Sequence, residues 1–217
     1  MKLRCVLFDF DFTLADSSDP ICKCVRYALD KLGCAACTDD QILRTVGLSL
    51  PEMFHRLAPG YDGKRLATLF IEKADEIMVE GTTMFEEVPA ALRSIRTAGV
   101  KTGIVSTKFR HRIERILTAN DLLRCFDVIV GAEDVERHKP DPDGLLRAMA
   151  MLGSEPPEAL YVGDSLVDAE AARRAGVAFC AVLHGTTTCS EFQPYAPVSI
   201  LSDLSELKSL VARYSAA

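Results

Sequence analysis

The 217-residue chain has no apolar run long enough to span a bilayer. It has no positive excess either: 31 acidic side chains against 25 basic ones leave a formal net charge of -6, which disfavours general binding to nucleic acid or to an anionic membrane. There is no internal repeat, low-complexity tract or disordered linker, so the chain reads as one large domain or a core domain with a smaller one inserted. Met1 to Phe8 is basic and then apolar, superficially like a signal peptide. Asp9 and Asp11 interrupt it, and no small-residue cleavage site follows, so the expected location is the cytoplasm. The eight cysteines include Cys34-Ala35-Ala36-Cys37, with Cys22 and Cys24 nearby, a spacing open to zinc or a disulfide. No second C-x-x-C and no nearby histidine completes a four-ligand set, which favours small, mostly buried, reduced thiols.

What is present is organised around Asp9-Phe10-Asp11-Phe12-Thr13-Leu14. The run from Arg4 to Phe8 has strand character and ends in two carboxylates two residues apart. Loops at the carboxyl ends of parallel strands build sites. Two like charges ~4 Å apart repel by about 4 kcal/mol at an effective dielectric of 20. Such a pair needs a cation, a proton or a reaction.

Residues 4–10 read as the first strand. Residues 16–84 then read as a small all-helical bundle without a strand pattern: one helix from Pro20 to Gly33, two short ones over 38–46 and 50–58, and a longer one from Asp62 to Glu80. From Val88 onward, helices alternate with short apolar strands over 100–105, 126–130, 159–162, 178–183 and 198–201. Asp141-Pro142 marks a helix start, and the tail from Asp203 is helical. The expected fold is α/β: a Rossmann-like, doubly wound parallel sheet (residues 1–15 and 85–217) carrying an inserted helical-bundle cap (residues 16–84).

The polar candidates each follow a strand: Asp9 and Asp11, then Ser106 and Thr107, then Asp164, with Lys139 in the loop after 126–130. Each has a bland alternative. Asp164 and Asp168, four apart, suit a helix N-terminus; Lys139 suits a solvated surface; Ser106 and Thr107 suit a turn. Four acidic groups at one sheet edge are explained better by a hard divalent cation with oxygen ligands, such as magnesium. The two prolines of His138-Lys139-Pro140-Asp141-Pro142 stiffen the loop, so that Lys139 can hold a phosphate as a point charge. A carboxylate nucleophile, a second acid, a cation, a lysine and a hydroxyl together describe phosphoryl transfer through an aspartyl phosphate.

Taken in order, Asp9-x-Asp11-x-Thr13-Leu14, Ser106, Lys139-Pro140-Asp141-Pro142 and Gly163-Asp164-Ser165-x-x-Asp168 resemble the four motifs of the haloacid dehalogenase superfamily. Within it, the chain is most similar to phosphoglycolate phosphatases and their pyrophosphatase relatives. The resemblance implies Asp9 as nucleophile and Asp11 as general acid, then base. It implies Mg2+ held by the side chains of Asp9 and Asp164 and the carbonyl of Asp11, with Asp168 supporting the metal site through water or Lys139. Ser106 and Lys139 would hold the phosphoryl group with the amides of Phe10 and Thr107. Thr45, Val46, Gly47 and Leu48 match the cap loop that faces the site, and Lys108 and Arg110 are candidates for a second anionic group. A lysine at a helix start opposes the helix dipole, which favours a ligand role for Lys108. Asp11 disfavours dehalogenase chemistry. The family usually has glycine where this chain has Phe12, so the loop is expected to differ slightly there, or Phe12 to face the cap. The implied substrate is a small phosphorylated metabolite, phosphoglycolate or pyrophosphate, under a cap that opens and closes. A phosphomutase of the beta-phosphoglucomutase type shares the motifs. A non-catalytic regulatory protein is opposed by the intact acids, and receiver chemistry by the cap and Asp11.

Overall fold

The computed structural model describes residues 3–215. Met1, Lys2, Ala216 and Ala217, which the sequence reading included in the core segments, lie outside the described residues. The chain begins with strand β1 (Cys5–Phe8) and the two-residue β2 (Ala15–Asp16). Four helices follow, α1 (Ser18–Lys31), α2 (Asp39–Leu43), α3 (Leu50–Leu57) and α4 (Gly63–Gly81), and then β3 (Thr83–Met84). The remainder alternates: α5 (Val88–Thr97), β4 (Lys101–Val105), α6 (Arg110–Ala119), β5 (Val128–Val130), α7 (Asp143–Leu152) and β6 (Ala159–Gly163). It ends with α8 (Leu166–Ala175), β7 (Ala178–Val182), α9 (Cys189–Phe192), β8 (Ser199–Leu201) and α10 (Leu207–Ser215).

Six strands form a parallel sheet in the order β5-β4-β1-β6-β7-β8. The sheet is doubly wound, as the alternation implied. Side chains alternate across β1. Val6 and Phe8 join a core with Leu92, Ile116 and Leu207 from α5, α6 and α10. Cys5 and Leu7 join the opposite core with Leu145 and Ala172 from α7 and α8. Because β1 lies between β4 and β6, the loops after these three strands meet where the strand order reverses, the place at which doubly wound sheets bind ligands.

The helices α1–α4 carry a hydrophobic cluster of their own, with Val25, Phe54, Leu66 and Phe70 fully or almost fully buried. Their starts are fixed locally: Thr38 and Gln41 form a reciprocal capping box, Ser49 donates from its amide and hydroxyl to the Glu52 carboxylate, and the Asp62 carboxylate accepts from the amides of Lys64 and Arg65. The region is not wholly helical. β2 and β3 pair antiparallel, Ala15 opposite Met84 and Asp16 opposite Thr83, where the chain leaves the sheet and returns. Strands of two residues are too short for alternation to mark them. Other boundaries shift for similar local reasons. Strand β1 ends at Phe8 because the Phe10 carbonyl takes the amides of Thr13, Leu14 and Ala15 and coils the chain. Helix α7 starts at Asp143, whose amide donates to the Asp141 carboxylate at 3.1 Å. The short α9 rests on a capping box of Thr188 and Glu191. All eight cysteines are free thiols, and Cys5, Cys22, Cys24 and Cys180 are buried. Among the described residues no helix is long and apolar enough to cross a membrane.

The helical insertion touches the sheet unit through polar contacts. Arg112 of α6, buried, donates from Nε and Nη2 to Asp75 Oδ1 of α4 at 2.9 and 2.7 Å, and to the Ile71 carbonyl at 3.2 Å. Asp75 is half exposed, so solvent screens its share, yet its loss leaves a buried guanidinium short of an acceptor. Asp75→Ala is expected to destabilise the protein by about 1–2 kcal/mol in urea unfolding. An unchanged midpoint would show that the contact contributes nothing.

Candidate active site

Asp9 leaves β1 with its amide bonded to the Val162 carbonyl of β6 at 2.9 Å, which fixes its carboxylate beside Asp164. Asp9, Asp164 and Asp168 are buried, and each offers an oxygen within 4.8 Å of the others. They meet one ammonium. Lys139 Nζ donates to Asp168 Oδ1 at 2.5 Å and to Tyr161 Oη at 3.1 Å, and lies 2.9 Å from Asp9 Oδ1. That last approach has ion-pair distance without hydrogen-bond direction, so Asp9 Oδ1 is buried without a donor. Asp164 Oδ1 accepts from Thr13 Oγ1 at 3.2 Å, and a Cβ at Gly185 would overlap its Oδ2, so only glycine allows the backbone this close.

Three buried carboxylates cannot all ionise freely. Burial raises the Asp9 pKa to about 6; Lys139 opposes this, and Asp168 and Asp11 reinforce it. Asp164 is raised well above the carboxylate range, by burial first and then by Asp168 and Asp9. Burial alone would lower Lys139, but the charges of Asp168 and Asp9 outweigh it and hold the amine protonated. The under-paired Asp9 Oδ1, the neighbouring Asp164 and the all-oxygen donor set suit a hard divalent cation. Asp168 is a poorer direct ligand than its place in the acidic set suggested. Its Oδ1 is taken by Lys139 and Tyr161, and its Oδ2 by the amide and hydroxyl of Ser165 at 3.1 and 2.6 Å. It anchors Lys139 and the start of α8.

Asp11 faces elsewhere. Its carboxylate lines a cavity of about 50 Å³ between the sheet edge and the helices, together with Thr107, Lys108, Arg112 and Gly47. Lys108 Nζ holds both Asp11 oxygens, at 2.8 and 3.1 Å. Ser106 is buried at the end of β4, its hydroxyl accepting from the Lys108 amide at 3.3 Å. Among the described residues, neither the Phe10 nor the Thr107 amide donates a hydrogen bond within the chain, so both are open to an anion. Gly47 touches the sheet unit. Its carbonyl accepts from Thr107 Oγ1 at 3.4 Å, and at φ +94 a Cβ here would lie 3.1 Å from Ser165 Oγ. A groove of about 460 Å³, lined by Asp164, Ser165, Arg44 and Arg56, opens on the other side of this loop.

Two proposed contacts fall outside the cavity. Thr45 is buried, with its hydroxyl bonded to the Ile42 carbonyl at 2.6 Å, so it serves its own helix. Arg110 turns its guanidinium to Asp134 at 3.5 Å and is largely exposed; Arg112 lines the cavity instead. Phe12 takes φ 57, the left-handed conformation that glycine would adopt freely. This costs about 1–2 kcal/mol in a residue with a Cβ. Burial of the ring and the 2.8 Å bond from the Phe12 amide to the Ala15 carbonyl hold it there. Tyr161 was missed. Its hydroxyl lies 2.9 Å from Asp168 Oδ1 and 3.0 Å from the Val105 carbonyl, and the one available signal was a polar tip inside an apolar strand.

A doubly wound sheet that gathers buried carboxylates and a lysine at its switch point, under an inserted helical lobe, defines a class of hydrolase. The chain belongs to the haloacid dehalogenase-like hydrolases, whose family model matches residues 6–182. It is 31% identical over 212 residues to pyrophosphatase PpaX of Listeria monocytogenes, covering 94% of this chain and 95% of that protein. It is 30% identical over 205 residues to the phosphoglycolate phosphatase of Aquifex aeolicus, covering 94% and 96%. A crystal structure from Bacteroides fragilis, described as a haloacid dehalogenase-like hydrolase, superposes with TM-score 0.91 at 43% identity, covering 95% of this chain and all of that one.

The Tyr161 hydroxyl bridges groups that have no access to solvent. Tyr161→Phe is expected to lower stability by about 1–2 kcal/mol in chemical denaturation. A variant as stable as the parent would remove Tyr161 from the network.

Proposed function

We propose that the protein is a magnesium-dependent phosphatase that hydrolyses a small phosphorylated metabolite, phosphoglycolate-like or pyrophosphate, through an aspartyl phosphate. The observation that carries this reading is the division between two acids two residues apart: Asp9 sits among Asp164, Asp168 and Lys139, while Asp11 faces the cavity. Two titratable groups in contrasting surroundings are how one site supplies both a nucleophile and a proton.

In this reading an Asp9 oxygen attacks phosphorus, the bond from phosphorus to the leaving-group oxygen breaks, and Asp11 gives that oxygen a proton. Water then attacks the aspartyl phosphate, Asp11 takes its proton, and Asp9 and phosphate are freed. Ser106, Lys139 and the amides of Phe10 and Thr107 hold the phosphoryl oxygens. Asp9 and Asp164, with the Asp11 carbonyl, would hold Mg2+, which supplies positive charge against two anionic reactants. Asp168 acts through Lys139 and Ser165. Residues 16–84 form the cap, with the β2–β3 ribbon as its hinge. The cavity of about 50 Å³ has room for only a few waters at ~10–15 Å³ each, which supports a small leaving group.

The test is phosphate release with magnesium from pyrophosphate, phosphoglycolate, sugar phosphates and nucleotides, with Asp9→Asn as the control for contaminating enzymes. One preferred small substrate, lost with Asp9→Asn and with chelator, is the expected result. Transfer between sugar positions without phosphate release would instead mean a mutase, and no turnover by folded, metal-loaded protein would remove the enzyme reading.

The acidic cluster also predicts how the metal affects stability. Asp9 is raised to about 6 and Asp164 is raised as well, so the folded state binds more protons than the unfolded chain from the ordinary carboxylate range up to about pH 6. Their contribution to stability is therefore lost as pH rises through that window. A cation that pairs with the ionised carboxylates offsets the loss. Millimolar magnesium is expected to raise Tm more at about pH 8 than at about pH 5. An equal shift at both would place the metal elsewhere.

A further inference from the structure

Lys108 is a buried lysine whose partner is itself an acid of the proposed reaction. It lies just before α6, where the helix dipole opposes a cation, so helix stability does not explain it. Its Nζ contacts both Asp11 oxygens, at 2.8 and 3.1 Å, and lies 5.7 Å from the centre of the Phe10 ring. Around the rest of the cavity, Ile21, Met53, Phe70 and Met78 offer no side-chain hydrogen-bond donor. Arg112, the other cation there, is committed to Asp75 and the Ile71 carbonyl. A charge entering with the leaving group therefore finds one cation, and that cation holds the acid.

We propose that Lys108 selects substrates whose leaving group carries a second negative charge, by exchanging Asp11 for that charge. The inference rests on the phosphatase reading above and sharpens it. While the ion pair is intact, both Asp11 oxygens are engaged by the ammonium. A carboxylate or phosphate on the leaving group takes over the ammonium, which stays paired in its dry surroundings; the freed Asp11 carboxylate takes a proton from solvent and turns toward the leaving oxygen, to which it gives that proton. A neutral leaving group offers no substitute. Separating a buried ion pair without replacing a partner is strongly unfavourable, so Asp11 stays held. Substrate recognition and readiness of the acid then become one event, and Lys108 is a specificity-determining residue.

The experiment compares kcat/KM for phosphoglycolate, for pyrophosphate and for 2-hydroxyethyl phosphate, which replaces the carboxylate of phosphoglycolate with a neutral CH2OH. Acetyl phosphate, whose leaving group needs no proton, is run with the wild type, and its first-turnover release of acetate reads attack by Asp9 without a proton from Asp11. The wild type is expected to prefer phosphoglycolate over 2-hydroxyethyl phosphate by about 100-fold. In Lys108→Met the preference shrinks to within about threefold, through a fall on the anionic substrate and a gain on the neutral one, whereas Lys108→Arg keeps it. Lys108→Gln is read in the same way if the methionine variant does not fold. Pyrophosphate shows whether the anion may be a phosphate: a charge preference confined to one of the two anionic substrates identifies the leaving group. An equal fall on charged and neutral substrates, or a preference that survives loss of the charge, overturns the proposal. Failure of the wild type even on acetyl phosphate would instead sink the phosphatase reading on which it stands.

Discussion

Everything at the sheet edge depends on one ammonium among three carboxylates. Asp9, Asp164 and Asp168 are brought together by the loops after β1 and β6, where burial penalises their charge and each penalises the others. Lys139 is the cation that makes this tolerable, and it is held by Asp168 and Tyr161 rather than by solvent. A buried charge cluster of this kind is weak support for stability. Its presence is better understood as the cost of keeping an under-paired carboxylate, Asp9, in a dry place.

The second layer of organisation separates the two acids of the first loop. The coil after Phe10, closed on its carbonyl by three successive amides, sends the Asp9 and Asp11 carboxylates to different surroundings although one residue lies between them. Phe12 in a left-handed conformation is part of that coil. The backbone shape outweighs the usual residue preference because a buried ring and a backbone hydrogen bond hold it.

Much of this was legible in the sequence because the information was local. Strand ends followed by polar groups put Asp9, Ser106 and Asp164 at one edge, and the parallel sheet needed only the alternation of strands with helices. What was not legible depended on side-chain direction. Arg110 and Arg112 are two residues apart on a helix, hence roughly 200° apart in azimuth, and the sequence does not state the phase. Thr45 could face a ligand or its own helix, and its hydroxyl found the Ile42 carbonyl. Tyr161 looks like any apolar strand residue until its hydroxyl meets Asp168. The β2–β3 pair is too short to leave a pattern and exists because two distant segments meet.

That ribbon has a wider meaning. The chain leaves the sheet unit at Ala15 and Asp16 and rejoins it directly opposite, at Thr83 and Met84. To the sheet, the four helices are therefore a loop whose ends already touch, and the entropy of closing a loop grows only slowly with its length. A lobe joined in this way can be enlarged, shrunk or replaced while the strands that carry the carboxylates keep their register. On the proposed function, chemistry and selection would then sit on separately variable parts of one chain, with Lys108, on the sheet side and lining the cavity against the lobe, as the proposed point of coupling.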